Sequence, residues 1–288
     1  MDITLFNEEK VKIINRYQAE SNSDVIIRFS SINCSQTARA GMYIKIKSKN
    51  VLIKNPYQIM RVSKINKWLE ILCDQNNAEL NFSNFIKNTD SITLIGPSGN
   101  GFSFNNKKSI SLLIGEGSGI SPLIFLADEI KKTTKQKPTL FFSSNDTFPY
   151  KYSPSKYIMK DFHPAVTASP NFIESMGFVS RLASKKNIPG CYNGNVTDLA
   201  EEWINTLDLG QIKKTNIYAC GTKKMLKNIS IIARKYKIEC QICILDHLGC
   251  SPGKCLCLIN TKDKDKNKVV KKICDDGPVF SSEEIYYD

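Results

Sequence analysis

Apolar and polar residues alternate through the first hundred positions in short runs set at hairpin spacing. Val25-Ile26-Ile27-Arg28-Phe29, Met42-Tyr43-Ile44-Lys45-Ile46 and residues 59–65, 68–73 and 91–95 are β-branched or alternating. A half-buried strand repeats every two residues, so this pattern predicts a small antiparallel barrel. From about residue 108 the pattern changes. Residues 109–114 form a continuous apolar run, a glycine loop follows, 123–132 has apolar positions at helical spacing, and 139–142 is the next apolar run. Buried strands alternating with helices predict a parallel sheet covered on both faces. Residues 164–167 and 216–220 read as further strands of that sheet. A helix is expected over 199–207, with Thr197 or Asp198 as its cap.

The glycine loop is Gly115-Glu116-Gly117-Ser118-Gly119-Ile120-Ser121-Pro122. Glycines let a backbone turn sharply and approach a diphosphate, and the N–H groups at a helix start favour an anion. It is not the G-x-G-x-x-G dinucleotide fingerprint, because Ile120 stands at a required position and no acidic residue lies near the ribose-binding offset. Taken alone, the loop reads equally well as a tight strand-to-helix turn without a ligand.

A second chemical signal lies near the C-terminus, where Cys250, Cys255, Cys257 and Cys274 lead into Asp275-Asp276-Gly277-Pro278-Val279-Phe280. Thiolates are the soft ligands that iron and zinc prefer, so the four cysteines predict one metal or iron–sulfur site. Cys250 and Cys255 match the C-x4-C opening of a plant-type [2Fe–2S] loop; Cys255-Leu256-Cys257 is then C-x-C where that loop has C-x2-C. Gly253 permits the tight turn that C-x-C needs. The 16 residues between Cys257 and Cys274 are expected to loop out as a lysine-rich hairpin.

Composition narrows the classes. With 288 residues, 41% of them apolar, the chain can build two modest domains and an appendage. Met1-Asp2-Ile3-Thr4 is followed by no apolar targeting segment, and no apolar run approaches the ~20 residues of a membrane span. A soluble, cytoplasmic protein with no membrane partner is expected, and its ten cysteines are read as reduced thiols. The net charge of +12 is spread along the chain, and its densest group, 262–272, alternates with acids and lacks aromatics. That favours a solvated hairpin over a nucleic-acid patch. His163 and His247 are the only histidines, each read as a surface or hydrogen-bonded residue, although His247 stands where it could replace a cysteine ligand.

These signals occur in a fixed order: Gly96-Pro97-Ser98-Gly99-Asn100-Gly101-Phe102, the glycine loop, Tyr218-Ala219-Cys220-Gly221-Thr222-Lys223-Lys224-Met225-Leu226, the cysteine loop, and Cys274 to Phe280. In that order the chain resembles the electron-transfer subunits of type B dihydroorotate dehydrogenase, a branch of the ferredoxin reductase family. The resemblance implies a β plus α/β architecture. An antiparallel flavin-binding barrel would span 1–104, a ferredoxin-reductase-like parallel α/β nucleotide domain 105–235, and a small C-terminal [2Fe–2S] lobe 236–288. It implies an NADH-linked oxidoreductase subunit of a heteromeric enzyme. Electrons would pass from NADH through FAD and a [2Fe–2S] cluster to the FMN of a catalytic subunit that oxidises dihydroorotate in pyrimidine synthesis.

Carried onto matching positions, the resemblance places the nucleotide diphosphate at Gly115, Gly117, Gly119 and Pro122. Cys220 and Gly221 would line the nicotinamide side of the flavin, and Cys250, Cys255, Cys257 and Cys274 would hold the cluster. The family's flavin signature R-P-x-S stands here as Asn55-Pro56-Tyr57-Gln58, which removes an arginine suited to bidentate phosphate contact. The Gly-Thr pair expected after it is absent between Lys64 and Asp90, where no glycine occurs. A second reading therefore stands beside the first: a non-catalytic relative that keeps the fold as a structural or binding subunit, its cysteines holding zinc or nothing.

Overall fold

The computed structural model describes residues 8–18, 24–48, 51–52, 56–74, 92–104, 108–144, 148, 150–160, 162–245, 257–263 and 265–287. The N-terminal strands are β1 (Glu8–Gln18), β2 (Asp24–Ser30), β3 (Tyr43–Ser48), β4 (Val51–Leu52), β5 (Tyr57–Ser63), β6 (Trp68–Asp74) and β7 (Ile92–Ser98), with a short helix α1 (Asn33–Thr37) after β2. Six of them run β3-β5-β6-β2-β1-β7, and β7 pairs back onto β3, closing an antiparallel barrel with β4 at its margin. The alternation is the cause. Val25, Ile27 and Phe29 on β2 and Leu69, Ile71 and Cys73 on β6 are buried, and each large side chain taken from water contributes about 1.5–3 kcal/mol. Between them Glu70 faces out yet is fully covered, bonded to Arg28 at 2.7 Å and Arg61 at 2.5 Å.

The second half continues with β8 (Ile110–Glu116), α2 (Ile120–Thr134), β9 (Thr139–Ser143), β10 (Tyr152–Pro154), β11 (Ala168–Pro170), α3 (Asn171–Ser175), β12 (Val179–Ser184) and β13 (Tyr192–Asn193). After these come α4 (Val196–Asn205), α5 (Leu209–Lys213), β14 (Thr215–Gly221), α6 (Lys223–Tyr236) and β15 (Glu239–Ile244). The chain closes with β16 (Leu258–Lys262), β17 (Lys268–Lys272), α7 (Ile273–Asp276) and β18 (Val279–Ser281). The main sheet has the order β13-β12-β9-β8-β14-β15-β18; only β18 is antiparallel. Strand order thus reverses between β8 and β14, the switch point beside which open α/β sheets form a ligand crevice. The β plus α/β architecture read from the sequence is the observed one.

Helix α2 is wedged between the barrel strand β5 and the sheet strands β8 and β14. Nine of its residues, Ile120 to Ala127 and Ile130, are buried, as expected of a helix covered on more than one side.

Several local readings are corrected. Residues 164–167 are not a strand of the parallel sheet: the Val166 N–H turns back to the His163 carbonyl, and the neighbouring β11 pairs with β10 in a separate two-stranded sheet. The third parallel strand is instead β12, whose Ser180, Arg181 and Ser184 are buried polar residues that break the apolar run. Helix α4 starts at Val196, with Asn195 at its N-cap position, and Thr197 is buried in the first turn. The hairpin between Cys257 and Cys274 forms as expected, as β16 and β17. Within the span 236–288, however, β15 and β18 are strands of the main sheet.

Candidate functional site

The glycine loop leaves β8 at the C-terminal edge of the sheet and makes one 3-10 turn, Gly117–Gly119, before α2. The tightness of this turn comes from the neighbouring strand. A Cβ on Gly119 would lie 2.2 Å from the Cys220 carbonyl oxygen and 2.7 Å from the Gly221 nitrogen, so only glycine lets the loop rest on the end of β14. Gly117 adopts φ +58° with open space where a Cβ would stand. No side chain caps the start of α2, which leaves the positive end of a 15-residue helix directed at the crevice. Pro122 sits in that first turn, where a missing N–H costs nothing.

Across the crevice the Thr222 hydroxyl donates to the Glu116 carboxylate and also accepts from the Met225 N–H at 3.3 Å, capping α6. One residue thereby fixes the end of β8 against the start of α6. Gly221 lies under Glu116 and Met225; its absent Cβ would be 2.5 Å from the Met225 methyl. Cys220 is fully buried as part of the apolar core, and its carbonyl lies against the loop. At the end of β9 the Ser143 hydroxyl is buried with no partner, a polar atom suited to a nucleotide ribose. Sequence reasoning missed Glu116 and Thr222 as a pair, because a bond between residues 106 apart leaves no local pattern.

The expected flavin signature is only partly visible. Asn55 lies outside the described residues. Pro56 precedes β5, and Tyr57 and Gln58 begin it with both side chains buried. Burial pushes the Tyr57 hydroxyl well above its ordinary pKa. The Gln58 amide, oriented to satisfy its surroundings, donates to the carbonyls of Met42 and Gly41 at 3.2 Å. The Gln58 amide is thus held by the barrel backbone, and neither side chain supplies a cation for a diphosphate. The described part of the motif therefore adds no positive charge at the phosphate end of FAD.

Cys250 and Cys255 also lie outside the described residues. Cys257, just before β16, and Cys274, in α7 after β17, stand at the base of one hairpin, held shut by an Ile273 N–H to Cys257 carbonyl bond of 2.7 Å. Their Sγ atoms are 3.0 Å apart. Two thiols converging on one point are a donor pair suited to iron or zinc, and this part of the site fits the cluster. Among the described residues no three His, Cys, Asp or Glu side chains gather into a metal site. Three other thiols are unsuited to the role: burial pushes Cys34 and Cys240 up to about 12 and Cys191 to about 11, against the thiolate form that binds metal.

The cysteine hairpin is joined to the rest of the molecule. The Tyr43 hydroxyl of β3 donates to the Cys274 carbonyl at 3.3 Å, while Asn100, just after β7, bonds the backbone at Asp276 and Gly277. Ser103 and the Gln241 amide exchange two bonds, tying the exit of the barrel to β15. No helix among the described residues is long and apolar enough to cross a membrane.

Comparison with known proteins agrees with this geometry. A family model described as the iron–sulfur cluster binding domain of dihydroorotate dehydrogenase B matches residues 246–286. The electron transfer subunit of dihydroorotate dehydrogenase B (NAD(+)) from Caldanaerobacter subterraneus subsp. tengcongensis is 32% identical over 202 residues, 70% of this chain and 69% of its own. The subunit of the same name from Listeria welshimeri is 25% identical over 285 residues, 96% of this chain and 98% of its own. Among solved structures, an NADH-dependent reduced ferredoxin–NADP oxidoreductase superposes with a TM-score of 0.67 at 18% identity, over 96% of this chain and 89% of that one. A ferredoxin NADP+ reductase from Neisseria gonorrhoeae gives 0.55 at 14% identity, over 80% and 91%. At these identities the superpositions establish the fold. Sequence identity carried across two thirds of a relative's length establishes more: this chain belongs to the family of dihydroorotate dehydrogenase B electron transfer subunits.

Proposed function

We propose that this chain carries electrons between NADH and an FMN-containing catalytic subunit that oxidises dihydroorotate in pyrimidine biosynthesis, in the cytoplasm, through FAD and a [2Fe–2S] cluster. The observation that carries the reading is the convergence of Cys257 and Cys274, 3.0 Å apart, in a molecule that also places a glycine turn at the C-terminal end of β8. Bound to the chain, FAD would convert a two-electron hydride into single electrons and the cluster would relay them.

The chain's own residues have separable tasks. The turn Gly117–Gly119 and the uncapped start of α2 hold the nucleotide diphosphate, with Gly115 and Pro122 shaping its two ends. The Thr222 to Glu116 bond keeps the mouth of the crevice at fixed width. Cys220 and Gly221 form its floor, where buried backbone excludes water from the transferred hydride. Cys250, Cys255, Cys257 and Cys274 hold the cluster as thiolates.

Anaerobic purification should yield iron and sulfide that collapse when Cys274 is replaced by Ser. Wild-type protein without iron, whose thiols all react with an alkylating reagent, would refute the reading. One observation favours the second reading, a fold retained without flavin chemistry: Tyr57 and Gln58 are buried, Gln58 bonds the barrel backbone, and neither carries a charge for the phosphate. A visible spectrum of purified protein separates the two, by flavin absorption in the blue or its lack.

A further inference from the structure

Helix α7 has only four residues, Ile273 to Asp276, too short to satisfy its own carbonyls by intrahelical bonds. Donors from the barrel take their place. The Tyr43 hydroxyl donates to the Cys274 carbonyl at 3.3 Å. The Asn100 side-chain amide donates to the Asp276 carbonyl at 3.0 Å, and the Asn100 N–H to the Gly277 carbonyl at 2.5 Å. Three carbonyls in the turn that carries one cysteine are thus met by two residues more than 170 positions away in sequence. Asn100 and Pro278 also form a parallel β-bridge. The approach is close throughout: Gly99 has φ +84°, and a Cβ there would be 2.6 Å from Pro278 Cδ and 2.8 Å from the Gly277 carbonyl. The turn's own contribution is smaller, a Lys272 N–H to Asp276 carboxylate bond of 2.8 Å.

Tyr43 is 3% exposed, and its bond to the half-buried Cys274 is part-buried, which limits the access of competing water. A hydrogen bond beside a ligand fixes the direction of that ligand and tunes the metal it serves. We propose that Asn100 and Tyr43 are positioning residues for the Cys274 thiolate, so that the barrel sets the geometry and reduction potential of the thiolate site. The inference rests on the electron-transfer reading given above and names residues for which that reading has no use. Neither residue touches the reacting atoms. Both act through the peptide that bears Cys274.

The test uses the full chain with Asn100→Asp, which keeps the backbone bond to Gly277 but sets a carboxylate against the Asp276 carbonyl, and Tyr43→Phe, which keeps the ring and removes the donor. In both, the reduced cluster should show an altered electron paramagnetic resonance spectrum and a shifted midpoint potential while far-ultraviolet circular dichroism stays unchanged. In cluster-free protein, Cys274 should alkylate about fivefold faster than in wild type, the factor expected when one hydrogen bond restraining a segment is lost. Unchanged spectrum, potential and Cys274 reactivity in two folded variants would overturn the proposal while leaving the electron-transfer reading intact. Wild type that binds no iron or sulfide would overturn that reading, and this proposal with it.

Discussion

One missing Cβ at Gly119 decides how closely the nucleotide loop approaches the end of β14. With 2.2 Å to the Cys220 carbonyl, Gly119→Ala forces either the loop or the strand to move, at about 1–3 kcal/mol. The expected result is a lower thermal midpoint together with weaker NADH binding by titration calorimetry; unchanged values would show that the contact relaxes without consequence. Selectivity belongs to this scale as well. Ser143 ends β9 and Ser144 follows it; Asn145 and Asp146 come next in the sequence, outside the described residues. Hydroxyls and a carboxylate there suit a ribose and repel a 2′-phosphate. NADH should therefore bind more tightly than NADPH, and the reverse order in a competition titration would contradict it. The glycines and cysteines were legible in the sequence because their chemistry is intrinsic to the residue. Glu116, Thr222, Asn100 and Tyr43 were not singled out, because each is an ordinary residue until the fold supplies its partner.

At the scale of elements, α2 joins the two halves of the molecule. Its Glu129 accepts a 3.0 Å bond from the Ala40 N–H in the segment before β3, and burial raises its carboxyl pKa above the ordinary 4.5, against the lowering effects of that bond and of Lys64 and Arg39. A raised folded value means that the native state holds this proton longer than the unfolded chain. The contribution is complete below about pH 4.5 and is lost as pH rises through the folded value. Glu129→Gln keeps an acceptor for Ala40 and removes the ionisation. Its thermal midpoint relative to wild type should rise between about pH 4 and about pH 7; parallel curves would show that Glu129 titrates as it does in the unfolded chain. Period-two alternation announced β2, β3, β5, β6 and β7, continuous apolar runs announced β8, β9 and β14, and helical spacing announced α2. The barrel strand β1, Glu8–Gln18, was not read from the sequence, because Glu8, Glu9, Lys10, Lys12, Asn15 and Arg16 leave few apolar positions in it. β12 was missed because Ser180, Arg181 and Ser184 interrupt its apolar run, and burial there is set by neighbours: Arg181 donates to the carbonyls of Ser180 and Tyr157.

At the scale of the whole molecule, electrons delivered to a cysteine hairpin need an acceptor, and the described residues form one barrel, one main sheet and two small two-stranded sheets, without a second catalytic barrel among them. Gentle purification from the native cell should recover it with an FMN-containing subunit. A solitary monomer fully active in oxidising a small substrate would contradict the assignment. The sequence by itself determined the barrel, the parallel sheet, the glycine turn at a strand end and the lysine-rich hairpin flanked by cysteines, because period, turn chemistry and ligand type are properties of neighbouring residues. Tertiary structure alone decided that β15 and β18 complete the main sheet, that Cys257 meets Cys274, and that Tyr43, 231 residues from Cys274, bonds its peptide. Such contacts have no local signature; they exist only because closing the barrel and burying α2 bring distant backbone within hydrogen-bonding reach, where each unsatisfied carbonyl takes the donor the fold presents.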